Sequence, residues 1–140
     1  MRNLDIRWVQ RYSSLESVYL LLSAALTDSY GLLAQDLFHI CAAAAEIPEI
    51  EEVILFGSRA KGTYQQGSDV DLSIKGENTT HTTVFRLSDE LNEERPLPYF
   101  FDVVDYNSLE NDEPLRSHID RVGKMLFTRP KVLVGVDANQ

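Results

Sequence analysis

Two aspartates separated by a single residue, Asp69 and Asp71, are the side chains in this sequence best placed to hold a metal ion. From residue 69 to residue 74, polar and apolar residues alternate, which predicts a β-strand with one apolar and one polar face. Both carboxylates then project from the polar face, where they repel each other unless a cation lies between them or one is protonated. Because Mg²⁺ prefers hard oxygen ligands and completes its shell with water and phosphate, we predict a magnesium site at this pair.

Gly57 and Ser58 form a candidate phosphate-binding turn, separated from the aspartate pair by ten residues. They follow the apolar run at residues 53–56, which predicts a strand buried on both faces. The glycine lets the backbone turn sharply and approach a ligand, and free backbone N–H groups after it would point at an anion. The Ser58 hydroxyl can donate to a phosphate oxygen, and Arg59 or Lys61 can add positive charge nearby.

A third carboxylate, Asp102, lies on the next predicted strand, at residues 99–104, whose aromatic and β-branched residues favour extended structure. It could complete a metal pair with Asp69 and Asp71, or take the proton from an attacking hydroxyl. An isolated Asp-X-Asp is most often a solvated strand edge, and an isolated Gly-Ser carries no information. The buried strand, the ten-residue spacing and the third acidic strand together favour a functional site that binds a nucleoside triphosphate with Mg²⁺.

The remaining pattern predicts helices that alternate with these strands, because apolar residues recur at spacings of three and four. The helices are predicted at residues 4–26, 32–46, about 84–91 and about 115–122, and a short closing element at residues 124–127. The third of these helices must end before Pro96, and Gly123 stops the fourth. Strands interleaved with helices predict an α/β or α+β fold around a small sheet.

Composition and charge predict a small cytoplasmic protein. Its 140 residues fit a single domain with an adequate apolar core. The formal net charge of -9 disfavours nucleic acid as a main partner, because the field of the molecule repels phosphate backbones. No stretch approaches the roughly 18 consecutive apolar residues of a membrane span, so we expect no membrane partner. The single cysteine, Cys41, lies in an apolar helical run and is expected to fill the core.

Residues 55–62 (LFGSRAKG) and 67–72 (GSDVDL) closely resemble the minimal nucleotidyltransferase (MNT) branch of the DNA polymerase β-like nucleotidyltransferase superfamily. Later landmarks of that branch are matched at residues 97–99, 102–104, 107–109 and 118–123. The resemblance runs from about Gly31 to Phe127. It implies an α+β nucleotidyltransferase fold with a small mixed β-sheet flanked by helices, to which this chain adds an extra N-terminal helix.

The resemblance also implies the chemistry. In that branch two Mg²⁺ ions assist an in-line attack on the α-phosphate of ATP, and pyrophosphate leaves. The metal-binding and catalytic acids of the branch correspond to Asp69, Asp71 and Asp102. Its triphosphate-binding positions correspond to Gly57 and Ser58, and we add Arg59, Lys61 and Ser68 as further candidates for the nucleotide-binding site.

The same resemblance implies a partner. MNT proteins typically pair with a HEPN-domain protein, a helical ribonuclease toxin, and members of the branch silence it by transferring AMP to a tyrosine. The prediction is therefore a protein adenylyltransferase that acts as an antitoxin. A small-molecule nucleotidyltransferase of the antibiotic-modifying kind is one alternative, although such enzymes usually need a second domain to enclose the acceptor. A non-catalytic partner-binding module is another.

The chain departs from that branch in its first thirty residues. Residues 4–12 (LDIRWVQRY) resemble the opening of the HEPN partner itself, but the ribonuclease motif of that partner, an Arg followed some four to six residues later by His, appears nowhere. His39, His81 and His118 are therefore expected to be ordinary surface or helix-end residues.

The expected organisation is a helical extension at residues 1–30, a nucleotidyltransferase domain at residues 31–128 and a flexible tail at residues 129–140. The apolar stripe of the extension must be covered in water. It could pack on its own domain, mimic the first helix of the partner, occupy part of the partner-binding surface, or mediate self-association into a homo-oligomer, and the sequence leaves these alternatives open.

Overall fold

The computed structural model describes residues 30–130, where helices and strands alternate. In chain order the elements are α1 (Ala34–Ala45), β1 (Glu52–Phe56), α2 (Gly57–Lys61), β2 (Val70–Lys75), α3 (His81–Asp89), a π-helical turn (Glu90–Glu94), β3 (Phe101–Asp105), a 3-10 turn (Tyr106–Ser108), α4 (Glu113–Val122) and β4 (Lys124–Thr128). The helix predicted at residues 4–26 lies outside the described residues, and so does the predicted tail beyond Pro130. Within residues 30–130, no helix has both the length and the apolar character needed to cross a membrane.

The strands form one four-stranded sheet in the order β3-β2-β1-β4. Strand β1 runs antiparallel to β2 and to β4, whereas β2 and β3 are parallel. A parallel pair needs a crossover connection, and α3 lies in the connection between β2 and β3. The mixed sheet with its flanking helices confirms the fold class predicted from the sequence, and the predicted closing element is the edge strand β4.

Both faces of the sheet are covered, and β1 contributes side chains to each. On one face Leu55 joins the larger apolar cluster together with Ile40 and the buried Cys41 of α1. On the other face Phe56 packs in a smaller cluster that α4 closes with Ile119. Because burial of such a side chain is worth about 2 kcal/mol, these clusters fix β1 and hence the turn that follows it. Strand β1 is therefore buried on both faces, as predicted.

One histidine expected at the surface is part of the interior. His39 lies in α1 with 6% of its surface exposed. Its Nδ1 accepts a hydrogen bond from Nη1 of Arg95 at 2.9 Å, and Nε of Arg95 donates to Oε2 of Glu90 at 3.0 Å. The expectation was wrong because Nδ1 of His39 is paired with a buried arginine that is distant along the chain, which local spacing does not reveal.

Arg129, assigned from sequence to the flexible tail, is bound to the domain. Its backbone N–H donates to the carbonyl of Glu51 at 2.8 Å, and its Nε donates to the carbonyl of Ile50 at 3.0 Å. Its Nη2 donates to three carbonyl oxygens at the end of α1, those of Ala44, Ala45 and Ile47. The last carbonyls of a helix lack some of their intrahelical donors, and the guanidinium supplies donors there. The ordered domain therefore includes Arg129.

Candidate functional site

The turn after β1 lies against the aspartate face of β2. Gly57 has a φ of 74°, in the left-handed region that favours glycine. A Cβ atom on this residue would overlap Oδ2 of Asp71, so only glycine lets the backbone come this close to the carboxylate. The chain then forms the five-residue helix α2, which Gly62 caps at its C-terminal end. The sharp turn predicted at Gly57 is therefore present.

Three carboxylates gather at this end of the sheet. Asp71 of β2 and Asp102 of β3 are register partners on neighbouring parallel strands, so their side chains project from the same face. Asp69 lies one residue before β2. Burial, followed by the charges of Asp102 and Asp69, raises the pKa of Asp71 from 3.8 to about 6. The fold thus brings together the three acids that the sequence singled out.

The chemistry of these acids suits a divalent cation. Among the described residues, none of the three carboxylates has an ion-pair partner. Asp69 and Asp102 are exposed and Asp71 is half-buried, so a cation from solvent has access to them. No preformed group of three metal ligands occurs within residues 30–130. Mg²⁺ does not need one, because it binds through one or two carboxylates and takes its remaining ligands from water and phosphate.

Two of the predicted nucleotide-binding side chains in α2 are available to a ligand. Ser58 is half-buried and Lys61 is exposed. In the described part of the chain, neither the Ser58 hydroxyl nor the Lys61 ammonium group has a hydrogen-bond or ion-pair partner. A serine hydroxyl can donate to a phosphate oxygen, and an ammonium group can offset its charge. Their contact with a nucleotide stays a prediction.

Arg59, also predicted to bind the nucleotide, lies inside the domain with 2% of its surface exposed. Its Nε and Nη2 donate to the carbonyl of Ser68, and its Nη1 donates to the carbonyl of Tyr30 at 3.0 Å. The guanidinium carbon lies 5.3 Å from the ring centre of Tyr64 and 5.1 Å from that of Tyr99. The guanidinium supports the loop between α2 and β2, because it is buried and each of its nitrogens donates to a backbone carbonyl.

Ser68, the last of the predicted nucleotide-binding residues, has a role in the same loop. Its Oγ accepts a hydrogen bond from the backbone N–H of Gln65 at 2.8 Å. This bond closes the turn that precedes Asp69, so the hydroxyl helps to place the first acid. Sequence spacing alone does not distinguish such a turn contact from a contact with phosphate.

His118 is a residue of the site that sequence reasoning missed. Its Nε2 accepts a hydrogen bond from the backbone N–H of Gly57 at 3.2 Å. Its ring also meets the ring of Phe56 edge-on, with 6.0 Å between the ring centres. The one available signal was its position in residues 118–123, a segment that resembles a landmark of the family.

A cleft of about 740 Å³ lies beside β3 and α3. Its lining includes Val84, Phe85 and Val103 but none of the three acids. Phe85 is 70% exposed there. This cleft is therefore separate from the three acids.

Comparison with solved structures shows the same fold. A toxin–antitoxin crystallised with AMP-PNP is 23% identical, with a TM-score of 0.53 over 68% of this chain and 73% of that chain. A variant of the toxin–antitoxin MntA-HpeT is 24% identical, with a TM-score of 0.53 over 70% of this chain and 74% of that chain. A second MntA-HpeT variant is 23% identical, with a TM-score of 0.50 over 61% of this chain and 66% of that chain. At these identities the likeness establishes the fold alone.

Comparison with protein families identifies the sequence more closely. None of the curated proteins matches this chain. The family described as polymerase beta, nucleotidyltransferase, matches residues 39–132, which is most of the sequence and includes the glycine turn and all three acids. The chain therefore belongs to the polymerase β nucleotidyltransferase family.

Proposed function

We propose that this protein is a Mg²⁺-dependent nucleotidyltransferase that transfers AMP from ATP to a protein hydroxyl. We further propose that the acceptor is a tyrosine of a HEPN-domain toxin, for which this protein is the antitoxin. The observation that carries the proposal is the gathering of Asp69, Asp71 and Asp102 beside the turn at Gly57 and Ser58. Membership of the family supports nucleotidyl transfer as the reaction.

The proposed reaction forms a bond between the acceptor oxygen and the α-phosphorus of ATP. It breaks the bond from that phosphorus to the oxygen that bridges to the β-phosphate, and pyrophosphate leaves. The proton of the acceptor hydroxyl passes to a carboxylate, for which Asp102 is the candidate because it is exposed beside Asp71. Asp69 and Asp71 would hold Mg²⁺, which would supply positive charge to the phosphates. Ser58 would orient the triphosphate.

Two observations support a protein as the acceptor and a toxin as the partner. Solved structures of similar fold are described as toxin–antitoxins, and one of them was crystallised with AMP-PNP. The net charge of -9 disfavours a polynucleotide acceptor, because its phosphates are repelled. A neutral tyrosine hydroxyl meets no such repulsion.

The position of the transferred label tests the reaction. The full chain is incubated with Mg²⁺, a candidate HEPN-domain protein and ATP labelled on the α-phosphate. We expect label on the HEPN-domain protein. The same incubation with ATP labelled on the γ-phosphate should leave both proteins unlabelled, because that phosphate leaves in pyrophosphate.

Variants of both proteins complete the test. D71N should transfer no label, whereas E110Q, which changes an exposed acid in a turn, should transfer as well as the wild type. Replacing the acceptor tyrosine by phenylalanine should remove the label from the HEPN-domain protein. Transfer of label from the γ-phosphate, or transfer of label from the α-phosphate by D71N, would contradict the proposed chemistry.

A further inference from the structure

The backbone N–H of Gly57 is already paired inside the protein. It donates to Nε2 of His118, which lies in α4, at 3.2 Å. The half-buried ring of His118 is held edge-on to Phe56, with 82° between the ring planes. Because Nε2 accepts this bond, its lone pair is occupied and it is not free to take a proton from a substrate. Nε2 of His118 is therefore engaged with the turn.

The Cα atom of the same glycine is also closely packed. A Cβ atom at Gly57 would overlap Oδ2 of Asp71, so the backbone there contacts both His118 and Asp71. The helix that follows, α2, has five residues. So short a helix has little stability of its own, because the free energy lost in fixing the first turn exceeds the free energy gained from its hydrogen bonds. Its orientation, and that of Ser58, must come from contacts with its neighbours.

We propose that His118 is a positioning residue for nucleotide binding, an inference that rests on the proposed function. Its Nε2 fixes the turn at Gly57 and thereby directs the backbone N–H and hydroxyl of Ser58 towards the phosphates of the nucleotide. The N–H of Gly57 is consumed by this bond and is not a phosphate donor. Gly57 thus contributes its shape to the site, and Ser58 contributes the hydrogen bonds.

Two substitutions separate the hydrogen bond from the packing of the ring. In H118Q the side-chain amide oxygen extends about as far as Nε2 and can accept from Gly57. In H118F the ring contact with Phe56 is kept and the acceptor is lost. A structural role for the ring alone would therefore spare H118F and harm H118Q, which is the reverse of the outcome that we expect.

The first measurement is the affinity for Mg·ATP by titration calorimetry. H118F should bind about 10-fold more weakly than the wild type. In this variant the N–H of Gly57 has lost its acceptor, so the turn beside the ligand is no longer fixed. H118Q should stay within about threefold of the wild type. If H118F does not fold, H118L replaces it, because leucine also lacks an acceptor. Equal binding by wild type and H118F, with D71N defective, would overturn this inference and leave the proposed function standing.

The second measurement needs no nucleotide. Amide hydrogen exchange at Gly57 should be about 10-fold faster in H118F than in the wild type, and close to wild type in H118Q, because exchange requires the bond to open. Unchanged exchange in H118F would overturn the inference. If the wild type itself binds no Mg·ATP, the proposed function fails, and the role of His118 in nucleotide binding fails with it whatever the exchange rates.

Discussion

Replacing Asp71 by asparagine should stabilise the metal-free protein above pH 6 and abolish nucleotidyl transfer. Burial and the neighbouring acids Asp102 and Asp69 raise the pKa of Asp71 from 3.8 to about 6, so the folded state binds this proton more tightly than the unfolded state does. The stability that the proton provides is present below about pH 4 and is lost as the pH rises to about 6. A shift of about two units corresponds to at most about 3 kcal/mol. Because the carboxylate is only half-buried, solvent screening reduces this to about 1 kcal/mol.

Thermal unfolding in EDTA at pH 5 and pH 8 measures this effect. At pH 8 the Tm of D71N should exceed that of the wild type by about 3 °C, and the difference should shrink at pH 5, where the wild-type carboxyl is largely protonated. Added Mg²⁺ should raise the Tm of the wild type more than that of D71N, because the variant has lost a ligand charge. E110Q should follow the wild type throughout. A D71N protein that melts below the wild type at pH 8, or that keeps near-wild-type transfer at saturating Mg²⁺, would refute the reasoning.

Three further changes test other parts of the site. D102A should lower the rate of transfer about 100-fold or more while weakening Mg·ATP binding far less, since general-base assistance is typically worth 10² to 10⁴; equal losses in both measurements would point to a purely metal-holding role. G57A should cost about 2 to 3 kcal/mol in urea unfolding through strain and overlap with Asp71, whereas G62A, which shares the positive φ but has open space for a Cβ, should cost about 1 kcal/mol. A chain that starts at Gly31 should lose roughly several kcal/mol of stability if residues 1–30 pack on the domain, or become a smaller species in light scattering if they mediate association; an unchanged Tm and an unchanged size would contradict both ideas.

The parts of the site that the sequence predicted are those encoded by local patterns. The alternation from Asp69 onwards defines β2, the apolar run before Gly57 defines β1, and the glycine marks the turn between strand and helix. Each of these signals depends on residues that are close along the chain. The placement of Asp102 beside Asp71 then follows from the parallel pairing of β2 with β3.

The features that the sequence did not reveal depend on partners far apart along the chain. His118 and Gly57 are 61 residues apart, and Arg95 and His39 are 56 residues apart. Arg59 stands beside the glycine turn, where a basic residue suggests phosphate binding, but it also binds the carbonyl of Tyr30 and contacts the ring of Tyr99, which are both distant along the chain. No periodicity encodes such pairs, so a polar residue of this kind is easily assigned to the surface or to a ligand.

The parallel pairing of Asp71 with Asp102 also bears on local unfolding. Strand β3 is at the edge of the sheet, where it pairs with β2 on one side, and the amide of Asn92 binds the N–H and the carbonyl of Phe101 at its start. Detachment of this edge strand separates the two acids and relieves their repulsion, so the metal-free protein favours opening at β3. A cation between the acids removes that advantage. Mg·ATP should therefore slow amide exchange along β3 most of all, and the proposed substrate would then hold in place the strand that carries Asp102.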